Sequence, residues 1–577
     1  MSDEIKQPTS DLPRIIEKNE ETQNLSDELD CLASQVTKPD EINQSTSDVP
    51  SSTEKQEKTQ NLNIELVRSE SQLTIDEVDM LYEAATNSSK PLPPMGDGRP
   101  YPPLLGSRQP YLVTFDGPDD VEHPYNYSLG KKCLYSLPVG LAAFTLSLGS
   151  AMFSEATPEI MVIYHVGWEV GVLTTSVFIL GFAFGPIIWG PLSELFGRKL
   201  IMTVSTFGST CFSFAVATAH NIETIVICRF FTAFMGSAAF VVAPAVLADM
   251  FQLRTRGRAM TIFAMILFGG PLLAPILGGF IVRNHKLGWR WTTYVCGMIG
   301  SLALVLIVFC LGETHHPVIL ARRAEELRRR TRNWGIYAAH EDLRLSIDEI
   351  VTNNIARPVK MLFTEPILFF ASLYNGFIYA MIYSLLTVIP LIFEVGYGFK
   401  QGNAELPPYI SMIIGEFVGV GILAIFENGF SKIIDRDGKL SPEKRLQPMM
   451  IGGVTFVIGI LWLCWTAHYH SSIHWIVPAV GSSFIGASLM LIFLPSMAYI
   501  IDSYLFISAS ALAANTFIRS TFAAAFPLFS RQMFVNLTTR WAGTLLGGLG
   551  LILVPIPFIF SKYGRTLRNK SAVAYKD

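Results

Sequence analysis

Three ionisable side chains stand inside long apolar stretches of the sequence, where a charge is costly to bury and marks a functional site by default. Arg229, Glu416 and Arg519 occupy three different stretches. A carboxyl group in such surroundings can take up and release a proton near neutral pH, so Glu416 is a candidate for proton coupling. Arg229 is a candidate to tune a nearby carboxylate in the same coupling. For both arginines, structural pairing with backbone carbonyls is the alternative.

The elements that carry these residues are apolar runs of about 20 residues, each long enough to cross roughly 30 Å of hydrocarbon as a helix. They fall into two groups of six on either side of a charged connector, which predicts an all-α membrane protein with two similar bundles and a path between them. The twelve predicted spans are 133–155, 169–189, 200–220, 224–247, 259–281, 291–312, 366–393, 407–427, 448–467, 474–498, 504–527 and 541–561.

Composition and charge divide the chain into five predicted regions. Half of the 577 residues are hydrophobic and 16% are charged, against about a quarter charged in soluble domains. The first 100 residues hold 21 acidic and 9 basic residues and few aromatics, which predicts a disordered tail. The predicted regions are an acidic tail at 1–110, a six-helix bundle at 131–312, a basic connector at 313–365, a second six-helix bundle at 366–561 and a C-terminal tail at 562–577.

The tail contains an internal repeat, in which residues 42–66 resemble residues 5–29. A pair of regulatory or partner-binding motifs is one interpretation, and a neutral duplication in a tolerant segment is the other. The connector carries Arg and Glu at helical spacing between Ala321 and Arg330. We interpret it as a surface helix near the inner leaflet, not as a nucleic-acid site.

Lys and Arg are concentrated in alternate loops, in the connector and in the C-terminal tail, whereas the other loops hold few. Since short cytosolic loops are enriched in these residues, the bias predicts that both chain ends are cytosolic. Twelve spans also require both chain ends to lie on the same side of the membrane, so the count and the charge bias agree.

Two short motifs predict moving parts. Gly190 and Gly197 permit a tight turn between the second and third spans, and they flank the acceptor Glu194 and the basic pair Arg198 and Lys199. Arg198 can pair with an acid at another helix end, and Asp249 is the natural candidate. The fifth span is rich in small residues and prolines, which allow close packing and bending. It predicts a gating hinge or simple tight packing through Gly270, Pro271, Pro275, Gly278 and Gly279.

These strings resemble motifs of the major facilitator superfamily, and more narrowly of the twelve-helix drug:proton antiporters of fungi (the DHA1 group), which include multidrug, azole and polyamine exporters. The loop at 190–199 resembles the cytoplasmic signature, with Leu195 in place of a basic residue and Glu194 in place of the commoner Asp. The string from Arg229 to Gly236 resembles the motif tied to proton coupling, and the string at 270–279 resembles the antiporter motif with Ala274 at its central glycine. The resemblance covers about residues 110–570.

The resemblance implies a proton-coupled antiporter of the plasma membrane that exports small organic compounds by alternating access. It implies a monomer whose partners are protons, a small-molecule substrate and the lipid bilayer, without nucleic acid, metal or cofactor. The substrate cavity would lie between the halves, and the expected lining residues are Tyr374, Tyr379, Tyr383 and Asn515. For the tyrosines, ordinary helix packing is the alternative.

Other function classes fit the sequence less well. No G-x-x-x-x-G-K-[ST] loop, H-E-x-x-H string or nucleophile elbow occurs, which argues against an ATP-driven pump and a membrane hydrolase. A membrane sensor that kept the fold without transport, and a vacuolar polyamine transporter, remain the alternatives. Azoles, cycloheximide-like drugs, polyamines and organic acids are all open as substrates.

Overall fold

A computed structural model describes residues 95–96, 111–117, 119–342, 357–437, 441–504 and 507–571. Across these ranges the chain is helical, and its β-structure is a single bridge between Leu112 and Tyr337. The predicted acidic tail with its repeat lies outside the described residues, apart from Met95 and Gly96.

The N-terminal group of helices runs from Leu129 to Cys310. Side-chain oxygens of Ser128 and Asn221 cap two of these helices by accepting from backbone amides of the first turn, which satisfies donors that the helix leaves open. The helices are α1 (Leu129–Met152), α2 (Thr157–Tyr164), α3 (Trp168–Phe196), α4 (Arg198–Ala217), α5 (Ile222–Gly236), α6 (Ala238–Met250), α7 (Leu253–Arg283) and α8 (Arg290–Cys310). α5 and α6 follow each other as one membrane span.

The connector and the C-terminal group complete the described chain. Proline stands in the first turn of several of these helices, where its missing N–H is not needed. The elements are α9 (His316–Thr331), α10 (Arg357–Thr364), α11 (Pro366–Pro390), α12 (Leu406–Asp437), α13 (Gln447–His468), α14 (Ile476–Ser503), α15 (Ser508–Leu553) and α16 (Pro555–Lys570). A π-helical turn, Leu391–Gly396, extends α11.

The last predicted pair of spans is joined in an unexpected way. Eleven described stretches are long and apolar enough to cross a bilayer, and the last of them, Ser510–Lys570, has 61 residues. Within it Thr538 adopts a φ of 64°, which breaks the helical path of α15. The predicted separate spans 504–527 and 541–561 are therefore one element with a backbone break at Thr538.

Packing contacts show that this element crosses twice. Before the break, Asn515 contacts Asn375 and Ser530 contacts Ser384, so the chain runs parallel to α11. After the break, Gly543 lies against Cys464, Gly550 against Phe456 and Val554 against Gly453, so the chain runs antiparallel to α13. α11 and α13 run parallel to each other, since Tyr374 lies against Gly453 and Phe377 against Phe456, so the element reverses at Thr538. Counting that element twice, the described residues make twelve crossings, as predicted.

The two halves meet along helices from both groups. α7 packs on α12 and α3 packs on α15, and one apolar core contains residues of both halves, including Phe178, Phe268 and Phe493. We call the end of the bundle that carries α9 and Gly197 the connector end, and the end that carries Glu155 and Asn403 the distal end.

At the connector end, the segment before α1 docks on α9. Arg323 of α9 is 3% exposed and donates to Asp120 at 3.0 Å, to Glu122 at 2.6 Å and to the Thr114 carbonyl at 3.3 Å. A small apolar cluster supports the contact, with Val113 from the segment and Leu327 from α9. We call this unit the connector clamp. The predicted surface helix is present, but Arg323 faces protein and not lipid headgroups.

Candidate transport site

Arg229 lies at the centre of the N-terminal half. It is 2% exposed, and its guanidinium donates to the Gly149 carbonyl of α1 at 2.9 Å and to the Thr174 carbonyl of α3 at 3.4 Å. The rings of Phe153 and Phe178 stand 4.4 and 4.0 Å from the guanidinium carbon. One terminal nitrogen has no hydrogen-bond partner. Arg229 thus ties three helices together and keeps one donor free.

A small cavity of about 20 Å³ adjoins this arginine. Such a volume holds about one water molecule. Its lining includes Ser209, Thr232 and Thr293 beside the arginine, so a water there finds polar partners. The free donor of Arg229 is therefore placed where a single water molecule can reach it.

Glu416 lies on α12 at the contact with the other half. It is 3% exposed, and its Oε1 atom has no hydrogen-bond partner. Its Oε2 atom is 3.8 Å from the position that a Cβ on Gly269 of α7 would occupy. An acceptor left without a donor in a buried site carries a large desolvation penalty when charged. The carboxyl group therefore stands at the interface of the halves, and among the described residues no ion pair stabilises its charge.

The antiporter-like motif on α7 packs closely against neighbouring segments at three of its glycines. A Cβ on Gly270 would lie 2.7 Å from the Ser147 side chain, and one on Gly278 would lie 2.7 Å from the Met152 carbonyl. A Cβ on Gly279 would lie 2.8 Å from Gly402. The first two glycines bring α7 against α1, and the third brings it against the C-terminal half. Pro271 and Pro275 lie within α7 between these contacts.

Two of the three predicted cavity tyrosines meet at the centre of the interface. The hydroxyl of Tyr383 is 2.9 Å from Ser150 of α1 and 3.2 Å from the hydroxyl of Tyr379. This chain of hydroxyls crosses from one half to the other. Tyr374 is placed elsewhere: its hydroxyl lies against Gly453 of α13, inside the C-terminal half, so it packs between helices there.

Asn515 belongs to a polar cluster that the sequence did not reveal. Asn375 of α11 donates to Asn515 at 3.0 Å and to Ser496 at 2.8 Å, and all three residues are buried. Asn515 therefore helps to hold α11, α14 and α15 together. An amide in the middle of the apolar run of α11 was the signal for Asn375.

The motif at the connector end forms a paired network. Arg198 donates to Asp249 at 3.2 Å and to Ser193 at 2.7 Å, so the predicted partner of Arg198 is present. Glu313, not the exposed Glu194, is the acceptor at the turn: it takes hydrogen bonds from the backbone amides of Arg198 and Lys199 at 2.9 and 3.3 Å. Gly197 has a φ of 91°, and Glu313 occupies the space where its side chain would be.

A histidine completes this network. His315 lies 4.0 Å from Asp249. Burial, followed by the positive charge of Arg198, lowers the pKa of His315 to about 3. His315 is therefore neutral at physiological pH, and Arg198 is the cation that balances Asp249.

The distal end holds three further carboxyl groups between the halves. Gln401 donates to the backbone carbonyl of Glu155 at 3.0 Å, and the Gly402 amide donates to Glu405 at 2.6 Å. Glu394 and Glu405 face each other. Together with the contact between Arg283 and Asn403 at 3.3 Å, these residues join the two halves at this end.

Known proteins share both the sequence and the fold. The family model described as Major Facilitator Superfamily matches residues 139–527. The chain is 63% identical over 503 residues to the major facilitator superfamily multidrug transporter FLU1 of Candida albicans, covering 87% of this chain and 82% of that protein. It is 47% identical over 483 residues to the multidrug transporter TPO1_1 of Candida glabrata, covering 84% of each.

Among solved structures, the xylose transporter XylE from E. coli, in a partially occluded inward open conformation, matches 75% of this chain and 98% of its own, with a TM-score of 0.53 and 16% identity. At that identity the likeness concerns the fold. The family match and the sequence relatives support an assignment to a family as well as to a fold. On these grounds the chain belongs to the Major Facilitator Superfamily and is a multi-pass membrane transporter similar to fungal multidrug transporters.

Proposed function

We propose that this protein is a proton-coupled antiporter that exports small organic compounds across the plasma membrane as a monomer. The observation that carries the proposal is the position of Glu416, a buried carboxyl group with an unpartnered oxygen at the contact between α12 and α7. Those helices belong to different halves, so the charge of this one group bears on how the halves fit together.

The proton step follows from the surroundings of Glu416. When the carboxyl group is charged, its burial against α7 is unfavourable because its Oε1 atom has no donor and the described part of the chain supplies no cation to pair with it. When it is protonated, the same contact carries no charge and is tolerated. Proton binding therefore favours the closed contact, and proton release favours a conformation in which water reaches Glu416.

Arg229 supplies the fixed charge of the mechanism. A guanidinium group keeps its proton in proteins, so it does not carry the proton itself. It holds α1 and α3 through their carbonyls and retains one free donor. We propose that this donor attracts water or a substrate group during the cycle and couples its arrival to the state of Glu416.

The halves need places to bend and to separate. We assign 131–312 and 366–561 as the moving halves, with α7 as the flexible element through Pro271 and Pro275. The pair of Arg198 and Asp249 and the Glu313 contact at Gly197 lie on the N-terminal side, and we propose that they keep the turn at the connector end rigid while the halves move. These roles follow from the tight glycine contacts of α7 and from the buried network at the turn.

Orientation and substrate class are proposed from charge and from the relatives. The distribution of Lys and Arg in the loops supports cytosolic chain ends. FLU1 and TPO1_1 are named multidrug transporters, which supports drugs and other foreign compounds as substrates. The plasma membrane is proposed because the family resemblance implies it. Polyamines remain in the proposed range through the family.

The test is drug efflux from vesicles with an imposed pH gradient. We expect Arg229→Ala to abolish efflux of an azole while the protein still reaches the membrane, and Glu416→Gln to transport without dependence on the gradient or not at all. The matched control is Glu427→Gln on the same helix, since the side chain of Glu427 is 43% exposed and lies 4.0 Å from the cation of Arg445; it should behave as wild type.

Equal efflux by the wild-type protein with and without the gradient would refute proton coupling. An unchanged pH profile of Glu416→Gln would remove Glu416 from the role, and normal efflux by Arg229→Ala would remove Arg229. No efflux of any compound by the wild-type protein would favour the sensor alternative.

A further inference from the structure

Arg519 is a second buried guanidinium, on the opposite side of the interface from Arg229. It lies on α15 and is 7% exposed. Its Nε atom has no hydrogen-bond partner, and within the described ranges no carboxylate pairs with it. Removing a charge from water without pairing it is strongly unfavourable. Such a residue inside a membrane protein marks a site for a group of opposite charge.

Aromatic rings surround this guanidinium without replacing a counter-ion. The rings of Tyr379 and Phe493 have their centroids 4.7 and 5.6 Å from the guanidinium carbon. A ring face stabilises the cation, but the N–H donors lie in the guanidinium plane and still need acceptors. The planar edge of Arg519 is therefore left for an acceptor that the described protein does not supply.

The neighbouring acid does not fill this role. Glu416 lies against α7 at Gly269, and the adjacent Phe268 packs its ring on Tyr379 and Phe493 at 6.5 and 4.8 Å. We call the rings of Phe268, Tyr379 and Phe493 the aromatic wall, and they lie on the side of Arg519. Glu416 instead contacts α7, the helix that carries Phe268. The two ionic groups are not an ion pair in this conformation.

Hydroxyl groups extend the site to the other half. Tyr379 and Tyr383 are hydrogen-bonded, and Tyr383 contacts Ser150, which follows the carbonyl that accepts from Arg229. The centre of the interface therefore offers the Arg519 guanidinium with a free donor, three hydroxyls and the rings of Tyr379 and Phe493. The described protein places no carboxylate among them.

We propose that Arg519 binds the anionic group of the transported compound, and that the substrates are amphipathic organic anions with an aromatic ring. A carboxylate or sulfonate accepts two parallel hydrogen bonds from a guanidinium edge, and the ring stacks on Tyr379 and Phe493. This inference rests on the proposed export function and specifies its substrate class. On this inference, cationic compounds such as polyamines are poorer substrates than organic anions.

The experiment compares three probes that share one ring: 2-naphthalenesulfonate, 2-naphthalenesulfonamide and 2-naphthylmethylammonium. The full-length protein is reconstituted in vesicles, and binding and gradient-driven transport of each probe are measured. The sulfonate stays ionised and does not leak through the bilayer. We expect the wild-type protein to bind the sulfonate at least about ten-fold more tightly than the other two, as charge-assisted pairs allow.

We expect Arg519→Gln to lose that preference, with binding of the sulfonamide unchanged within about two-fold, because the shared ring contacts remain. Arg519→Lys keeps the charge and loses the planar edge, so it should keep part of the preference, which covers the case in which the Gln variant does not fold. The matched control is Arg531→Gln on the same helix, since Arg531 stacks on Trp168 instead; it should retain the full preference.

A wild-type protein that binds the ammonium probe as tightly as the sulfonate, or an Arg519→Gln variant that keeps the sulfonate preference, overturns the inference. The imposed gradient separates this result from the proposed function. Sulfonate preference without gradient dependence would overturn proton coupling and leave the anion site standing. Gradient-driven transport without sulfonate preference would overturn the anion site and leave proton coupling standing.

Discussion

Buried charges are handled in opposite ways at the connector end and in the middle of the bundle. At the connector end, Arg198 and Arg323 are each 6% exposed or less, and each donates to carboxylates. In the middle, Arg229, Glu416 and Arg519 are equally buried, and each keeps an atom without a hydrogen-bond partner. The paired charges at the connector end hold segments of the protein together, and we propose that the charges in the middle serve protons and substrates.

The difference follows from what each region must do. A charge pair at a helix end is formed once and adds specificity to the docking of a segment, as Arg323 does for the residues before α1. A permanently satisfied charge in the middle would have no capacity to bind anything else. We therefore expect substitutions at the connector end to affect stability most, and substitutions in the middle to affect transport with little loss of stability.

The largest expected effect on stability is that of Arg323→Met. Removing one partner of a buried pair leaves Asp120 buried without its cation, at a cost of about 3–5 kcal/mol. Thermal unfolding of the purified full-length protein in detergent measures it. The control is Arg329→Ala in the same helix: Arg329 is 74% exposed and paired with Glu325 in an i,i+4 bridge, so its loss should cost about 0.5 kcal/mol or less.

If Arg323→Met unfolds at the wild-type temperature, the connector clamp does not stabilise the fold. The contrast between the connector end and the middle of the bundle would then fail, because a buried paired charge would contribute as little to stability as an exposed one.

The sequence predicted the number of crossings and the ion pair of the connector turn, because both depend on chain-local signals. Apolar runs define spans, and an acid at the end of one span stands near a base at the end of another. The connector clamp was not predictable in the same way, since Asp120 and Arg323 are separated by 203 positions. Neither segment carries a local sequence signal that identifies the other as its partner.

The rotation of a helix was harder to predict than its presence. α11 is apolar on every side, and most of its residues are buried, so hydrophobicity does not show which face meets the other half. The spacing itself held part of the answer: at 3.6 residues per turn, Tyr383 lies about 40° around the helix from Tyr379, whereas Tyr374 lies about 140° away. The structure accordingly brings Tyr379 and Tyr383 together and places Tyr374 against α13.

The next effect concerns the pH dependence of stability at the connector end. The pKa of His315 falls to about 3 in the folded protein, through burial and then the charge of Arg198, from an ordinary value near 6.5. The unfolded chain therefore binds a proton below pH 6.5 that the folded chain does not, so stability falls as the pH falls from 6.5 towards 3. At pH 5 the loss from this group is about 2 kcal/mol.

Comparing His315→Gln with the wild type at pH 7 and pH 5 isolates this contribution. The variant should lose less stability than the wild type on acidification, by about 2 kcal/mol. His468→Gln is the control, since it lies at the distal end of α13 and away from the Arg198 network. Parallel acid sensitivity in His315→Gln and the wild type would mean that His315 is charged in the folded protein and shares Asp249 with Arg198.

The smallest expected effect is on the middle of the bundle, where Glu416→Gln should leave stability unchanged or raise it by about 1 kcal/mol. Glu416 has no partner to lose, and the amide removes an uncompensated buried charge while keeping the shape of the side chain. Thermal unfolding above neutral pH, where the carboxyl group has the greatest tendency to ionise, gives the measurement its best sensitivity. Glu427→Gln on the same helix is the matched control with no change expected. A clear loss of stability in Glu416→Gln would show that the carboxyl group has a stabilising partner in the resting protein, and Glu416 would then belong with Arg198 and Arg323 among the structural charges.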